Sequence, residues 1–141
     1  MGGRSNEPGA ASQRQTILIV EDELFIRLVL ADDLDEAGFH VLQAGHAEEA
    51  LQVLQRSTPV DLMITDIRMP GALDGLELAA HVRMAWPELR ILLLSGNQSD
   101  LPSRVPADAF IAKPYPAGAV VAQVRQMLNG AERSRTTSIE P

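Results

Sequence analysis

Three short runs constrain this chain more than anything else: Thr16–Val20 (TILIV), Val60–Thr65 (VDLMIT) and Arg90–Leu94 (RILLL). They are aliphatic and β-branched with little polar alternation, and strands of that kind must be covered on both faces. Segments with apolar residues at helical spacing follow them, so strand and helix alternate. A chain with that rhythm is expected to fold as a parallel sheet with helices on both faces, joined by right-handed crossovers.

Two weaker runs, Phe39–Gln43 and Ala109–Ala112, complete five expected strands. The first expected helix spans residues 22–37, with an apolar stripe at Leu24, Phe25, Leu28, Val29 and Leu34 pressed on the sheet. Gly38 should end it, because glycine takes positive φ cheaply. Further helices are expected over Ala47–Gln55, Asp74–Met84 (Asp74 as N-cap, Pro87 at the exit) and Pro116–Leu128. Residues 95–107 (SGNQSDLPSRVPA) break the rhythm with two prolines, so only a short or irregular fourth helix is expected, around 99–105. Residues 1–15 and 130–141 are polar and aperiodic and read as flexible tails, leaving 16–129 as one domain.

Composition narrows the function. The 141 residues include no cysteine, which removes disulfides, zinc–thiolate sites and a cysteine nucleophile. A formal charge of −7 argues against binding nucleic acid or an anionic membrane. No run approaches a membrane span and the N-terminus lacks the apolar core of a signal peptide, so a cytoplasmic protein is expected.

In open α/β sheets, ligands sit beyond the carboxyl ends of the strands. The residues that follow the expected strands are Glu21 and Asp22, then Asp66, Ser95 and Lys113. Three carboxylates, a hydroxyl and an ammonium would converge there. Crowded carboxylates repel one another, and a hard divalent cation relieves the repulsion. A cation beside Asp66, with Lys113 and Ser95, would also neutralise an incoming phosphoryl group, and an aspartate can serve as the nucleophile that forms an acyl phosphate.

Glu21-Asp22 after the first strand, Asp66 in DIRMPGALDGLEL, Ser95-Gly96 after the fourth and Lys113-Pro114 after the fifth together resemble the receiver domain of two-component response regulators. The resemblance spans about 16–129 and implies a doubly wound, flavodoxin-like fold, five parallel strands in the order 2-1-3-4-5. It implies that Asp66 accepts a phosphoryl group from a histidine kinase phosphohistidine. Asp22 would bind magnesium (or manganese) directly and Glu21 through water, with Asp66 and the backbone carbonyl of Arg68 as further ligands. Ser95 and Lys113 would hold the phosphoryl oxygens, and Phe110 would be the switch aromatic. The Lys113–Pro114 peptide is expected to be cis.

The resemblance further implies a phosphoacceptor rather than an enzyme, with only self-phosphorylation and autodephosphorylation chemistry. Because no output domain is seen after Leu128, a stand-alone switch is expected. Its partners would be a sensor histidine kinase or histidine phosphotransfer protein and a downstream protein, and it would act as a monomer or a phosphorylation-dependent dimer. Arg68 is an unusual side chain two residues past the acceptor, expected to pair with Glu21 in the resting state. The MPGALDG loop is one residue longer than the common family form.

Each motif has a plainer reading. Asp66 alone reads as a turn cap, Glu21 and Asp22 as first-turn acids, Ser95-Gly96 as a turn, Lys113-Pro114 as a strand end and Phe110 as packing. Trp86 reads as helix packing, and His40, His46 and His81 have no ligand spacing. Two other functions compete: a pseudo-receiver that binds without phosphorylation, and an aspartyl-nucleophile phosphatase of the haloacid dehalogenase type. The second wants an acid two residues past the nucleophile, where this chain has Arg68.

Overall fold

The computed structural model describes residues 14–56, 59–96 and 106–139, with side chains as far as 129. Its strands are β1 (Thr16–Val20), β2 (His40–Ala44), β3 (Leu62–Asp66), β4 (Arg90–Ser95) and β5 (Ala109–Ala112). They form one parallel sheet in the order β2-β1-β3-β4-β5, as expected. β1 and β3 are buried along their whole length, which explains their unbroken apolar runs.

The helices among the described residues are α1 (Leu24–Glu36), α2 (Ala47–Leu54), α3 (Gly75–Ala85) and α4 (Ala119–Ile139). One core layer packs α2 and α3 on Leu18, Met63, Ile91 and Leu93; the other packs α1 and α4 on Ile17, Ile19, Ile64 and Leu92. The helix ends follow local chemistry. Gly38, at φ 103°, ends α1, with its N–H donating to the Asp35 carbonyl (3.0 Å). Asp74 caps α3 through a reciprocal pair: the Glu77 N–H donates to Asp74 Oδ1 (2.9 Å) and the Asp74 N–H to Glu77 Oε1 (2.9 Å). Trp86 packs against the α2–α3 layer. His46 has a local job that spacing did not reveal, accepting the Glu49 N–H at the start of α2.

Two expectations need correction. The inward face of α1 is Leu30, Ala31 and Leu34, whereas Leu24, Phe25, Leu28 and Val29 face outward, Phe25 with 78% exposure. The helix is apolar almost all round in its first two turns, so periodicity alone does not select the buried face. The last helix does not stop at Leu128: the backbone is helical to Ile139, over residues read as a tail. Ala131, Glu132, Arg133 and Arg135 are good helix formers that continue a turn already begun. At the other end Arg14 is also tied down, its Nη2 donating to the Phe39 carbonyl (3.0 Å). The rest of the N-terminal tail, residues 1–13, and the expected helix around 99–105 lie outside the described residues.

Candidate functional site

The carboxyl ends of β1, β3, β4 and β5 deliver Glu21, Asp66, Ser95 and Lys113 to one edge of the sheet. Lys113 Nζ donates to Asp66 Oδ2 at 2.6 Å and lies 3.8 Å from Glu21 Oε1. Glu21 is 1% exposed and Asp66 9%, so this is one ammonium between two largely desolvated acids. Lys113 is fixed through its backbone too, donating its N–H to the Ser95 carbonyl (2.7 Å). The Lys113–Pro114 peptide is cis, in line with the resemblance.

Glu21 is held at every polar atom but one. Its N–H donates to the Ala44 carbonyl (3.1 Å), its carbonyl accepts from Arg27 Nη1 (2.8 Å), and Oε2 accepts the Glu23 N–H (3.1 Å). Oε1 is buried with no hydrogen-bond partner. Burial pushes the Glu21 carboxyl up to about 7, the Glu23 N–H draws it down, and the Asp66 charge raises it further against the pull of Lys113. Burial by itself would lower the Lys113 ammonium; the hydrogen bond and charge of Asp66, with the Glu21 charge, outweigh it and hold the lysine above its usual value.

Asp22 follows Glu21 on the same turn with an exposed side chain. Among the described residues no three acidic or imidazole groups are gathered tightly enough to chelate a metal unaided. The donors still suit magnesium, which needs few protein ligands and retains waters. The Glu21 Oε1 oxygen, buried without a hydrogen bond and 3.8 Å from the Lys113 ammonium, fits such a cation.

The expected Arg68–Glu21 pair is not formed. Among the described residues the cation facing Glu21 is Lys113, which rises from β5 into the space between the acids. Arg68 is exposed and lines an open cavity of about 490 Å³ with Ile67, Met69, Pro70, Asp74 and Leu76, beside the segment that follows Asp66. Phe110 is half-buried; opposite Leu93, it faces away from Ala109 and Ile111, which pack on the α1–α4 layer.

Three residues escaped the sequence reading. Gly75 opens α3 directly against Asp66: its N–H donates to the Ile67 carbonyl (2.7 Å), and a Cβ there would overlap the Asp66 carbonyl oxygen and lie 2.8 Å from Ile67 Cα. Arg27 ties the Glu21 turn to β2. The Tyr115 phenol is raised by burial and sits close enough to feel Lys113, Glu21 and Asp66. Position in sequence could have flagged Gly75, next to an N-cap aspartate, and Tyr115, just past Lys-Pro. Nothing local marks Arg27.

Known proteins share this fold. The response regulator protein TrrA of Thermotoga maritima, solved in complex with Mg(2+)-BeF, superposes with a TM-score of 0.71 at 36% identity, covering 79% of this chain and 97% of that one. The chemotaxis protein CheY4 of Vibrio cholerae gives a TM-score of 0.72 at 26% identity, covering 80% and 98%. The transcriptional activator protein ExaE of Pseudomonas putida is 38% identical over 120 residues, 81% of this chain and 55% of ExaE. The chain spans about half the length of most curated relatives it matches. No helix among the described residues is long and apolar enough to cross a membrane. Residues 17–125 match the response regulator receiver domain as a family, and with five parallel strands in the order that resemblance implied, the chain belongs to it.

Proposed function

We propose that this chain is a phosphorylation-operated switch whose acceptor is Asp66. The observation that carries the reading is the Lys113 ammonium, hydrogen-bonded to Asp66 at 2.6 Å and 3.8 Å from a buried Glu21 oxygen that accepts no hydrogen bond. An Asp66 carboxylate oxygen attacks the phosphorus of a phosphohistidine. The P–N bond breaks, its electron pair stays on the imidazole, which takes up a proton, and an acyl phosphate forms. Glu21, Asp22, Asp66 and the Arg68 carbonyl would hold magnesium, or manganese in its place, which neutralises the phosphoryl oxygens. Lys113 then exchanges its bond to the carboxylate for one to a phosphoryl oxygen, and the Ser95 hydroxyl donates to another. Because the Ser95 carbonyl accepts the Lys113 N–H, movement at Ser95 is felt in β5, where Phe110 sits.

The outward face of α1 is where a protein donor docks. It starts directly after Glu21 and Asp22, with Phe25, Leu28 and Val29 exposed near the site and Asp32 and Glu36 beyond them. An amphipathic helix of the donor, apolar and then basic, fits that surface. The output is a protein contact or onward phosphoryl transfer, and the charge of −7 supports protein partners over nucleic acid. Acceptance without turnover, rather than phosphatase activity, is supported by Arg68 standing where a general acid is needed.

The test is incubation with acetyl phosphate or phosphoramidate and magnesium, read by intact mass. A single phosphoryl group gained by the wild type, lost in Asp66→Ala and lost when the metal is chelated, is expected. A wild type that gains nothing, or an Asp66→Ala chain that gains as much, overturns the reading. Steady hydrolysis of added phosphoesters would point to an enzyme instead.

A further inference from the structure

We infer that Arg27 is a positioning residue for the cation-binding acids: its guanidinium braces the Glu21–Asp22 turn against β2 and so sets how tightly the site takes up a divalent cation. The inference rests on the proposed function above and deepens it.

Arg27 lies in the first turns of α1 and is half-buried. Its Nη1 donates to the Glu21 carbonyl (2.8 Å) and its Nε to Gln43 Oε1 (3.1 Å). The β1–β2 ladder has its last paired position at Val20 and Ala44. One residue further the Glu21 N–H still reaches the Ala44 carbonyl, and beyond that the guanidinium supplies the next rung. The guanidinium lies against Gly45, where a Cβ would sit 3.3 Å from Nη1.

The carbonyl chosen is the informative part. The Glu21 C=O and the Asp22 N–H belong to one rigid peptide plane, so holding the oxygen fixes the direction in which Asp22 leaves the turn. Asp22 is exposed, and this plane sets where its Cα lies. Glu21 is fixed by the same two tethers, which leaves Oε1 aimed at the site. Lysine cannot replace the fork, because an ammonium lacks the fixed planar spread of donors that spans both acceptors.

Arg27→Lys separates geometry from charge, since the positive charge is kept. Gln43→Ala removes the far anchor from an exposed position and carries the test if the first variant folds poorly. Magnesium affinity is measured on the full chain by calorimetric titration, and phosphoryl uptake from acetyl phosphate is followed against magnesium concentration. Losing one or two braced hydrogen bonds should weaken magnesium binding about 3- to 10-fold in Arg27→Lys and about 2- to 3-fold in Gln43→Ala. The magnesium concentration for half-maximal uptake should shift by the same factor, while the rate at saturating magnesium changes less than about 2-fold. The double variant should be no weaker than Arg27→Lys alone. Wild-type affinity in both single variants overturns the inference, as does a lowered saturating rate with half-saturation unchanged. A wild-type chain that binds no magnesium overturns the proposed function and this inference together.

Discussion

The two ends of the sheet use the same chemical groups to opposite effect. At the amino end, Asp61 Oδ2 accepts the Thr16 N–H (2.8 Å), and Asp108 Oδ2 accepts both the Ile91 N–H (2.9 Å) and Arg83 Nη2 (2.6 Å). Arg83 also donates to the Leu89 carbonyl (2.9 Å). These carboxylates are matched to donors and stitch strand starts to the loops before their neighbours. At the carboxyl end, Glu21 and Asp66 share the Lys113 ammonium, and the buried Glu21 oxygen, 3.8 Å from it, accepts no hydrogen bond. Carboxylates bonded to backbone N–H groups fasten the amino end, whereas the carboxyl end buries an oxygen to which no hydrogen bond is given. Unsatisfied buried groups cost stability, so the second arrangement is kept at the expense of the first.

Substitutions at each end probe that contrast. The largest effect is expected from Gly75→Ala, because the added Cβ meets backbone rather than a movable side chain. Urea unfolding should show a loss of about 3 kcal/mol or more, and phosphoryl uptake at Asp66 should fall at least about tenfold. An unchanged variant would show that α3 can back away from Asp66 without consequence.

Next in size is the pH response of the metal-free protein. The Glu21 carboxyl is raised in the folded state from 4.5 to about 7, so folding favours its protonated form. That contribution is complete below about pH 4.5 and disappears as pH rises through about 7, on the order of 3 kcal/mol. Denaturation at pH 5 and pH 8 should reveal the decline, saturating magnesium should flatten it, and Glu21→Gln should abolish it. A slope identical in wild type and Glu21→Gln would assign the effect elsewhere.

At the opposite end, Asp108→Ala should cost about 1 to 2 kcal/mol by thermal or urea unfolding, through the lost bonds to Ile91 and Arg83. Phosphoryl uptake and magnesium affinity should stay as in the wild type, and a change in either would dissolve the division of labour. The smallest effect on stability, under about 0.5 kcal/mol, is expected for Phe25→Ala on the outer face of α1. There the informative readout is kinetic: uptake from a histidine-phosphorylated protein should slow several-fold while uptake from acetyl phosphate stays constant.

Where the sequence was legible, the cause was local. Unbroken apolar runs marked β1, β3 and β4, Gly38 and Asp74 marked helix ends, and the acids and the lysine stood at strand termini. The strand order came with the family resemblance. What local pattern did not reveal depends on distant partners. Arg27 finds Gln43 across 16 positions, and Asp61 finds Thr16 across 45. Nor does composition mark the buried side of α1, since LFIRLVLA is apolar on several sides and the choice falls to contact with Ile17, Ile19 and Leu92. The run past Leu128 misled in the other direction: its polar, aperiodic residues looked like a tail, yet the backbone stays helical to Ile139, with good helix formers only at Ala131, Glu132, Arg133 and Arg135.

The outer surface of α1 changes character along its length, greasy at the start near Glu21 and negatively charged toward Glu36. A docking helix laid on it backwards would set its own basic stretch over Phe25 and strand apolar side chains on Asp32. On the proposed reading of this face, the surface would discriminate head from tail before any chemistry begins, and a donor would have to arrive in one polarity to bring its histidine to Asp66.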